Sequence, residues 1–186
     1  MIRSVLKYVC AVTALLIVTG IPTPRPAAAQ SGSVDFAAGY SFLRDHELEE
    51  NFPAGWFASV AGGVNRWLAI AGEVAGNYKT LADIEGADVK VNVHFFGAGP
   101  RIVGHSGKAH PFAQVLFGAG RGSVSFAGQS ASDTDFAWQP GAGVDWDVTR
   151  KVGLRFGANG RFIQGEGETV KELQVVVGVG IPALIT

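Results

Sequence analysis

The sequence predicts an all-β fold: an eight-stranded antiparallel up-and-down transmembrane β-barrel, preceded by a cleaved signal peptide. Three observations carry this prediction: period-two alternation of apolar residues, glycines in the middle of strands, and connections that alternate between long and short. Alternation of this kind indicates strands with one apolar face. The opposite face carries small and charged residues, and a narrow closed barrel with its apolar side outward accounts for both faces.

The alternation is clearest over 136–162, which predicts two strands joined by a polar turn. In the first strand one face is apolar and aromatic, and the other is small or acidic: Phe136, Trp138, Ala142, Val144 and Trp146 against Gln139, Gly141, Gly143 and Asp145. In the second strand, Leu154 and Phe156 alternate with Arg155. Pro140 lies inside the first strand, and because it lacks an N–H we expect a β-bulge there.

Eight strands are expected, at 34–43, 54–64, 67–78, 89–102, 110–123, 135–147, 152–163 and 171–181. Their lengths suit tilted membrane strands, which need about 9–11 residues. The fourth strand shows clear faces only at its start, where valines alternate with Lys90, Asn92 and His94. The fifth strand gives no face assignment, and no segment of the mature chain shows a helical period.

The predicted connections alternate in length. The loops 44–53, 79–88, 124–134 and 164–170 are long, and they are separated by short turns at 65–66, 103–109 and 148–151. This asymmetry is typical of outer-membrane barrels, whose long loops face the outside. Acidic residues concentrate at the long-loop end.

The first 29 residues predict a secretory signal peptide, and 30–186 predict one barrel domain. Arg3 and Lys7 precede an apolar run over 9–21, and an A-x-A cleavage site follows at 27–29. The single cysteine, Cys10, lies inside the apolar run, so the mature chain has no thiol for a disulfide or a metal. The mature chain then has 12 Lys and Arg against 16 Asp and Glu, which does not favour a nucleic-acid partner.

Glycine is abundant, with 26 residues in the chain. Gly-x-Gly pairs recur once per strand, at 97/99, 118/120, 141/143 and 178/180. In a narrow barrel the interior has room for small side chains only, and sharp coiling favours glycine. A phosphate-binding loop is the alternative, but none of these pairs opens a helix.

On these features the mature chain resembles the outer-membrane β-barrel protein domain of the OmpA/OmpX type. The resemblance rests on the strand count, the loop asymmetry and the segments 96–101, 117–121 and 141–146. It implies a monomeric barrel in the outer membrane of a Gram-negative-type bacterium, exported by a Sec-type signal peptide. It also implies a structural or surface-interaction role without enzymatic turnover.

The inward faces supply candidates for an ionic network that fills the lumen, meaning the interior of the barrel. Buried charges need partners, and the planar fork of arginine serves two carboxylates at once. The candidates are Asp35, Glu73, His94, Asp145, Arg155, Arg161, Glu172 and Gln174. We expect these groups to be structural, in place of an open pore.

Aromatic residues near the predicted strand ends suit the girdles that flank a membrane barrel. They are Tyr40, Trp56, Trp67, Tyr78, Trp138 and Trp146. A soluble lipocalin-like periplasmic carrier is an alternative, but its apolar residues would line the interior, and its charges would lie outside.

A lipid A-modifying barrel enzyme is the second alternative, because some eight-stranded barrels of this type are enzymes. Such an enzyme needs a Ser, a His and an acid near one membrane edge. Among His46, His94, His105 and His110, only His105 adjoins a serine, and adjacent side chains on a strand point apart. We therefore assign no catalytic residue, no metal site and no cofactor.

The expected partners are outer-membrane lipid and lipopolysaccharide. The four long loops could also contact an extracellular partner, or their acids could bridge to lipopolysaccharide through divalent cations. A solvated acidic rim is the simpler interpretation.

Overall fold

A computed structural model describes residues 33–45, 50–84, 87–126, 129–165 and 169–184, and it leaves out the side chains of 33, 81–88 and 182–184. The predicted signal peptide lies outside the described residues, as does His46. No helix in the described part of the chain is long and apolar enough to cross a membrane.

The described chain is almost entirely β-strand. The strands are β1 (Ser33–Asp45), β2 (Asn51–Phe52), β3 (Ala54–Gly63), β4 (Leu68–Ile84), β5 (Ala87–Val103), β6 (Ala109–Phe126), β7 (Gln129–Asp147), β8 (Gly153–Gln164) and β9 (Thr169–Leu184). The eight long strands pair antiparallel with their sequence neighbours, and β1 also pairs with β9 along its whole length. The sheet is therefore closed, which confirms the predicted eight-stranded up-and-down barrel. The short strand β2 extends the β1–β3 hairpin.

Short turns connect the strands at one end of the barrel, which we call the turn end; the other is the loop end. In the β3–β4 turn, the Asn65 side-chain Oδ1 accepts hydrogen bonds from the backbone N–H groups of Trp67 and Leu68, both at 2.9 Å. In the β7–β8 turn, Thr149 Oγ1 accepts from the N–H of Val152 at 3.0 Å. Hydrogen bonds from a turn side chain to the backbone hold the turn in one geometry, and the turn geometry sets the register of the two strands that it joins.

Two of the predicted long loops are mainly strand, so their assignment as loops is wrong. In the first of these segments, β4 ends at Ile84 and β5 begins at Ala87. In the second, β6 ends at Phe126 and β7 begins at Gln129. Along the second extension, serines pair across the strands, Ser123 with Ser132 and Ser125 with Ser130. The outward side chains of this extension are polar, so it lacks the apolar outer face that identified the other strands.

The β-bulge expected at Pro140 is absent, and that prediction is wrong. Pro140 pairs with Val115 of β6 without a change of register. The pairing of β7 with β8 is interrupted at 139–140 and resumes with the same offset. Pro100 of β5 shows the same arrangement. It pairs with Ile70 of β4, and the pairing of β5 with β6 is interrupted at 99–100 and then resumes with the same offset. The missing N–H removes a hydrogen bond without inserting a residue.

The two faces of the barrel have opposite chemistry. A belt of large apolar residues is exposed on the outside of the strands, and it includes Phe36, Val60, Ile70, Phe96, Phe117, Phe136, Phe156 and Val177. A continuous exposed apolar surface of this kind indicates contact with lipid or a partner. The inside holds Glu73, Arg155, Arg161 and other polar side chains among alanines and phenylalanines. The carrier architecture, with an apolar cup and charged outside, does not match these faces.

Candidate functional site

The lumen at the turn end holds an arginine–aspartate pair. Arg155 of β8 donates from Nε to Asp145 Oδ1 at 2.6 Å and from Nη2 to Asp145 Oδ2 at 2.7 Å. The two residues are direct cross-strand partners, which places both on the inner face. Nη1 of Arg155 reaches across the lumen to Ser59 Oγ of β3 at 2.6 Å. This guanidinium is therefore held by three bonds on two walls of the barrel.

Arg101 of β5 lies beside this pair. Its Nε and Nη2 both donate to Gln114 Oε1, at 2.9 Å and 2.6 Å. The Phe112 ring lies near both guanidinium groups, with its centroid 4.6 Å from Arg101 Cζ and 5.1 Å from Arg155 Cζ. Cation–π attraction to this shared ring offsets part of the repulsion between the two cations.

The middle of the lumen is crossed by a second network centred on Arg161, which is 0% exposed. Its Nε donates to Gln139 Oε1 at 2.8 Å, and its Nη1 to Glu172 Oε2 at 3.2 Å. Gln139 in turn donates from Nε2 to Glu73 Oε1 at 2.9 Å. The Phe95 ring lies 4.5 Å from Arg161 Cζ, and Nη2 has no hydrogen-bond partner in the described residues.

Neutral side chains fill the lumen beside this network. Asn159 Nδ2 donates to Gln174 Oε1 at 2.8 Å, and Gln174 Nε2 donates to Ser41 Oγ at 3.0 Å. Asn77 Nδ2 donates to the Ser41 carbonyl at 3.1 Å. These buried polar groups satisfy one another, as buried polar groups must in the absence of water.

The structure brings most of the predicted lumen residues together. Six of them make the side-chain contacts described above: Glu73, Asp145, Arg155, Arg161, Glu172 and Gln174. Asp35 lines the interior at the turn end, near Asp145 and Arg155.

The assignment of His94 to the lumen is wrong. His94 lies on the outer face, where its Nε2 is 3.3 Å from the Tyr78 hydroxyl and its ring meets the Tyr78 ring edge-on. The inner face of β5 carries Val93 and Phe95, which are buried. The inner face of β5 is apolar at these positions, so the expectation that polar residues face inward assigned the two faces of this strand the wrong way round.

Three of the predicted girdle residues form a cluster on the outer face toward the loop end. Trp56 Nε1 donates to the Tyr78 hydroxyl at 3.0 Å. Tyr40, which pairs with Trp56 across β1 and β3, donates its hydroxyl to the Pro53 carbonyl. His94 belongs to the same outer cluster through its contact with Tyr78.

The other predicted girdle residues are dispersed. Trp67 and Trp146 are exposed near the turn end, Trp67 in the β3–β4 turn and Trp146 at the end of β7. Trp138 lies in the middle of β7, because that strand begins well before its predicted start. Its indole stacks on Phe162 with the ring centroids 4.5 Å apart.

Several residues of the network were not predicted: Ser59, Arg101, Gln114, Gln139 as a bridge, and Asn159. Arg101 could have been found once Gly97 and Gly99 were recognised as inward, because it shares their face of β5. Gln114 is the cross-strand partner of Arg101, but the residue pattern of β6 does not distinguish its two faces. Ser59 meets Arg155 across the lumen, and only closure of the barrel brings them together.

The structure offers little for catalysis in its described part. His110 Nε2 lies 2.9 Å from Asp147 Oδ2, and the His105 and His110 rings pack edge-on with centroids 5.3 Å apart. Within the described residues neither histidine hydrogen-bonds a serine hydroxyl, and no cluster of three His, Cys, Asp or Glu could hold a metal.

A closed antiparallel sheet with an apolar outer belt and a filled polar lumen defines a transmembrane β-barrel, since closure satisfies every backbone group in lipid. The family model described as the outer membrane protein beta-barrel domain matches residues 13–181. The chain belongs to this family, and it is an outer-membrane protein of the Gram-negative type. A comparison with curated protein sequences finds no significant match.

Solved structures share the fold. Ail of Yersinia pestis, in complex with the heparin analogue sucrose octasulfate, is similar with a TM-score of 0.62 and 19% identity over 82% of this chain and 99% of that chain. Neisserial surface protein A (NspA) is similar with a TM-score of 0.61 and 17% identity, over 81% of this chain and 96% of that chain. The N-terminal β-barrel domain of Pseudomonas aeruginosa OprF is similar with a TM-score of 0.53 and 13% identity, over 82% of this chain and 99% of that chain.

Proposed function

We propose that this protein is a small, monomeric, non-enzymatic barrel that contributes to the envelope or to surface interactions, with a lumen plugged by side chains. The observation that carries the proposal is the network that crosses the interior from Glu73 through Gln139 and Arg161 to Glu172. An eight-stranded barrel has room only for side chains in its interior, and here polar pairs occupy that room.

We further propose that 1–29 is removed as a Sec-type signal peptide and that the loop end faces outside. The outer aromatic cluster of Tyr40, Trp56 and Tyr78 then lies at the outer interface, and Trp67 and Trp146 at the inner one. Amphipathic rings are stabilised at the level of the lipid headgroups on both sides of the membrane. The orientation is supported by the rule that outer-membrane barrels carry their longer connections on the outside.

The filled lumen is tested by reconstituting the purified barrel in planar lipid bilayers and recording single-channel currents. We expect no stable conductance, because the network from Glu73 to Glu172 fills the cross-section of the lumen. A reproducible ohmic channel from the folded protein would contradict a plugged interior and would favour a pore.

The loop end is the surface we propose for partners, which would be lipopolysaccharide or an extracellular molecule. Ail was solved with a polysulfated heparin analogue. The loop end of this chain is acidic, with eleven carboxylates in and beside the predicted loops: Asp45, Glu47, Glu49, Glu50, Asp83, Glu85, Asp88, Asp133, Asp135, Glu166 and Glu168. Like charges repel, so a polysulfated ligand is disfavoured, and phosphates bridged by divalent cations are the better candidates.

This contact is tested by measuring binding of lipopolysaccharide with magnesium and again after chelation with EDTA. We expect binding that EDTA abolishes and that the double variant Asp133→Asn, Asp135→Asn weakens. Asp147→Asn at the turn end is the control. Binding that is indifferent to both EDTA and the loop-end substitutions would rule out the cation bridge.

The rival function, a lipid A-modifying enzyme, has a separate test. Mass spectrometry of lipid A from cells with and without the protein should show the same acylation. A change in acyl chains that His110→Asn removes would replace the structural proposal with an enzymatic one.

A further inference from the structure

A cavity of about 250 Å³ lies in the lumen at the turn end. Its charged lining comes from the ends of five strands and the β7–β8 turn. Asp35, Arg101, His110, Asp145, Arg150 and Arg155 all contribute to it. The volume equals that of about eight water molecules, less than a drug-sized pocket but enough for a small metabolite.

Most charges in this turn-end pocket already have a partner. Both oxygens of Asp145 accept from Arg155, so the two charges of this pair already compensate each other. Asp147 Oδ2 is 2.9 Å from His110 Nε2. Arg150 lies in the exposed β7–β8 turn.

Two groups of opposite charge remain. Arg101 is 3% exposed, and its recorded hydrogen bonds go to one oxygen of a neutral amide, Gln114. Asp35 makes no hydrogen bond or ion pair within the part of the chain that the structure describes, and no ion pair there includes Arg101. A buried guanidinium without a carboxylate is costly, since its desolvation is only partly offset.

We propose that the turn-end pocket binds a small zwitterion, with its phosphate or carboxylate on Arg101 and its ammonium on Asp35. A guanidinium matches an oxyanion with two parallel N–H donors, and a carboxylate accepts from an ammonium. Phe112 lies against the Arg101 guanidinium and Gln114 accepts from Nε and Nη2, which leaves the Nη1 edge for the ligand. This ligand differs from the loop-end partners and does not depend on them.

The test uses the full mature barrel in phospholipid-free micelles, titrated with O-phosphoethanolamine and followed by the Nε–H resonances of ¹⁵N-labelled arginine. We expect a saturable shift of the Arg101 resonance, with an affinity at least tenfold above that of inorganic phosphate at equal ionic strength. Ethylammonium alone should leave the resonance unchanged. An affinity no better than that of phosphate, or no saturation at all, would overturn the proposal.

Variants assign the two ends of the ligand. Because Arg101→Gln removes the reporting resonance, binding to the variants is measured by isothermal titration calorimetry. Arg101→Gln should abolish binding, whereas Asp35→Asn should retain phosphate binding and lose the advantage of the zwitterion. Arg121→Gln, exposed toward the loop end, is the matched control. The mobility of unheated protein on gels shows whether each variant folds. If Arg101→Gln does not fold, Arg101→Lys replaces it, and unchanged affinity in that variant would contradict a two-donor contact.

The same chemistry occurs in free metabolites and in phosphatidylethanolamine headgroups, and nanodiscs distinguish them. A shift of the Arg101 resonance in phosphatidylethanolamine nanodiscs, but not in phosphatidylcholine nanodiscs, would assign the site to the lipid. Binding of free phosphoethanolamine that neither lipid displaces would assign it to a soluble molecule. If neither free phosphoethanolamine nor the phosphatidylethanolamine nanodiscs shift the Arg101 resonance, the proposal is wrong.

Discussion

Arg155 shows how a single residue can join two walls of the barrel. Its guanidinium bonds both oxygens of its cross-strand neighbour Asp145 and also the hydroxyl of Ser59 on β3. The pair is mostly buried, so removing the cation leaves a carboxylate that has lost water and gained nothing in return.

We therefore expect Arg155→Ala to lower the free energy of unfolding by about 3 kcal/mol. The measurement is urea unfolding of the refolded barrel in lipid vesicles, followed by tryptophan fluorescence. Arg121→Ala is the control, because Arg121 is exposed and, among the described residues, its side chain hydrogen-bonds Ser132 alone, at 3.2 Å. Equal losses in the two variants would show that the lumen pair contributes no more than a surface contact.

At the scale of the strand, glycines decide where the barrel walls can approach. A Cβ on Gly178 of β9 would lie 2.5 Å from the Ala38 carbonyl oxygen and 2.8 Å from the Phe57 ring. The space that an alanine needs is already filled by Phe57, which is fully buried in the lumen. Gly122 of β6 is different, since nothing lies within 4 Å of its Cβ position.

Gly178→Ala should destabilise the barrel by about 1–3 kcal/mol, the usual cost of overpacking. Gly122→Ala should change the stability by less than about 0.5 kcal/mol. The same unfolding assay compares them. If both variants were equally stable, the close contact at Gly178 would be relieved by a small shift of the strands, and the packing argument would fail.

The extension of β6 and β7 beyond the apolar belt makes a second prediction at this scale. Amides of 123–126 and 129–132 should exchange slowly with deuterium, because they pair across the hairpin in register. Amides of 105, 107 and 108 at the turn end should exchange much faster, because none of them donates a backbone hydrogen bond in the described structure. Rapid exchange of the amides throughout 123–132 would contradict the strand extension and would favour the loop that the polar sequence predicts.

The sequence predicts the strands better than the contacts between their side chains, and the reason is physical. In β9, Leu173, Val175 and Val177 face lipid along the whole strand, so alternation reveals both its existence and its faces. In β5 the interior is apolar at Val93 and Phe95, and alternation alone cannot tell inside from outside. Contacts such as Gln139 with Glu73 join residues far apart in sequence, so they require closure and registers that no local pattern encodes.

At the scale of the whole molecule, two opposite surfaces are made from one strand pattern. The outside carries an apolar belt, and the inside is filled mainly by polar side chains that hydrogen-bond one another. Such a molecule is stable only where lipid covers its belt, and its backbone pairing around the closed sheet resists detergent.

The most direct test of this account is the gel mobility of the protein from the outer-membrane fraction, with and without boiling in detergent. We expect the protein in that fraction and a shift in apparent mass on heating, because the closed barrel stays folded in cold detergent and unfolds when boiled. A protein released with the soluble periplasmic contents, with the same mobility before and after heating, would contradict the transmembrane barrel.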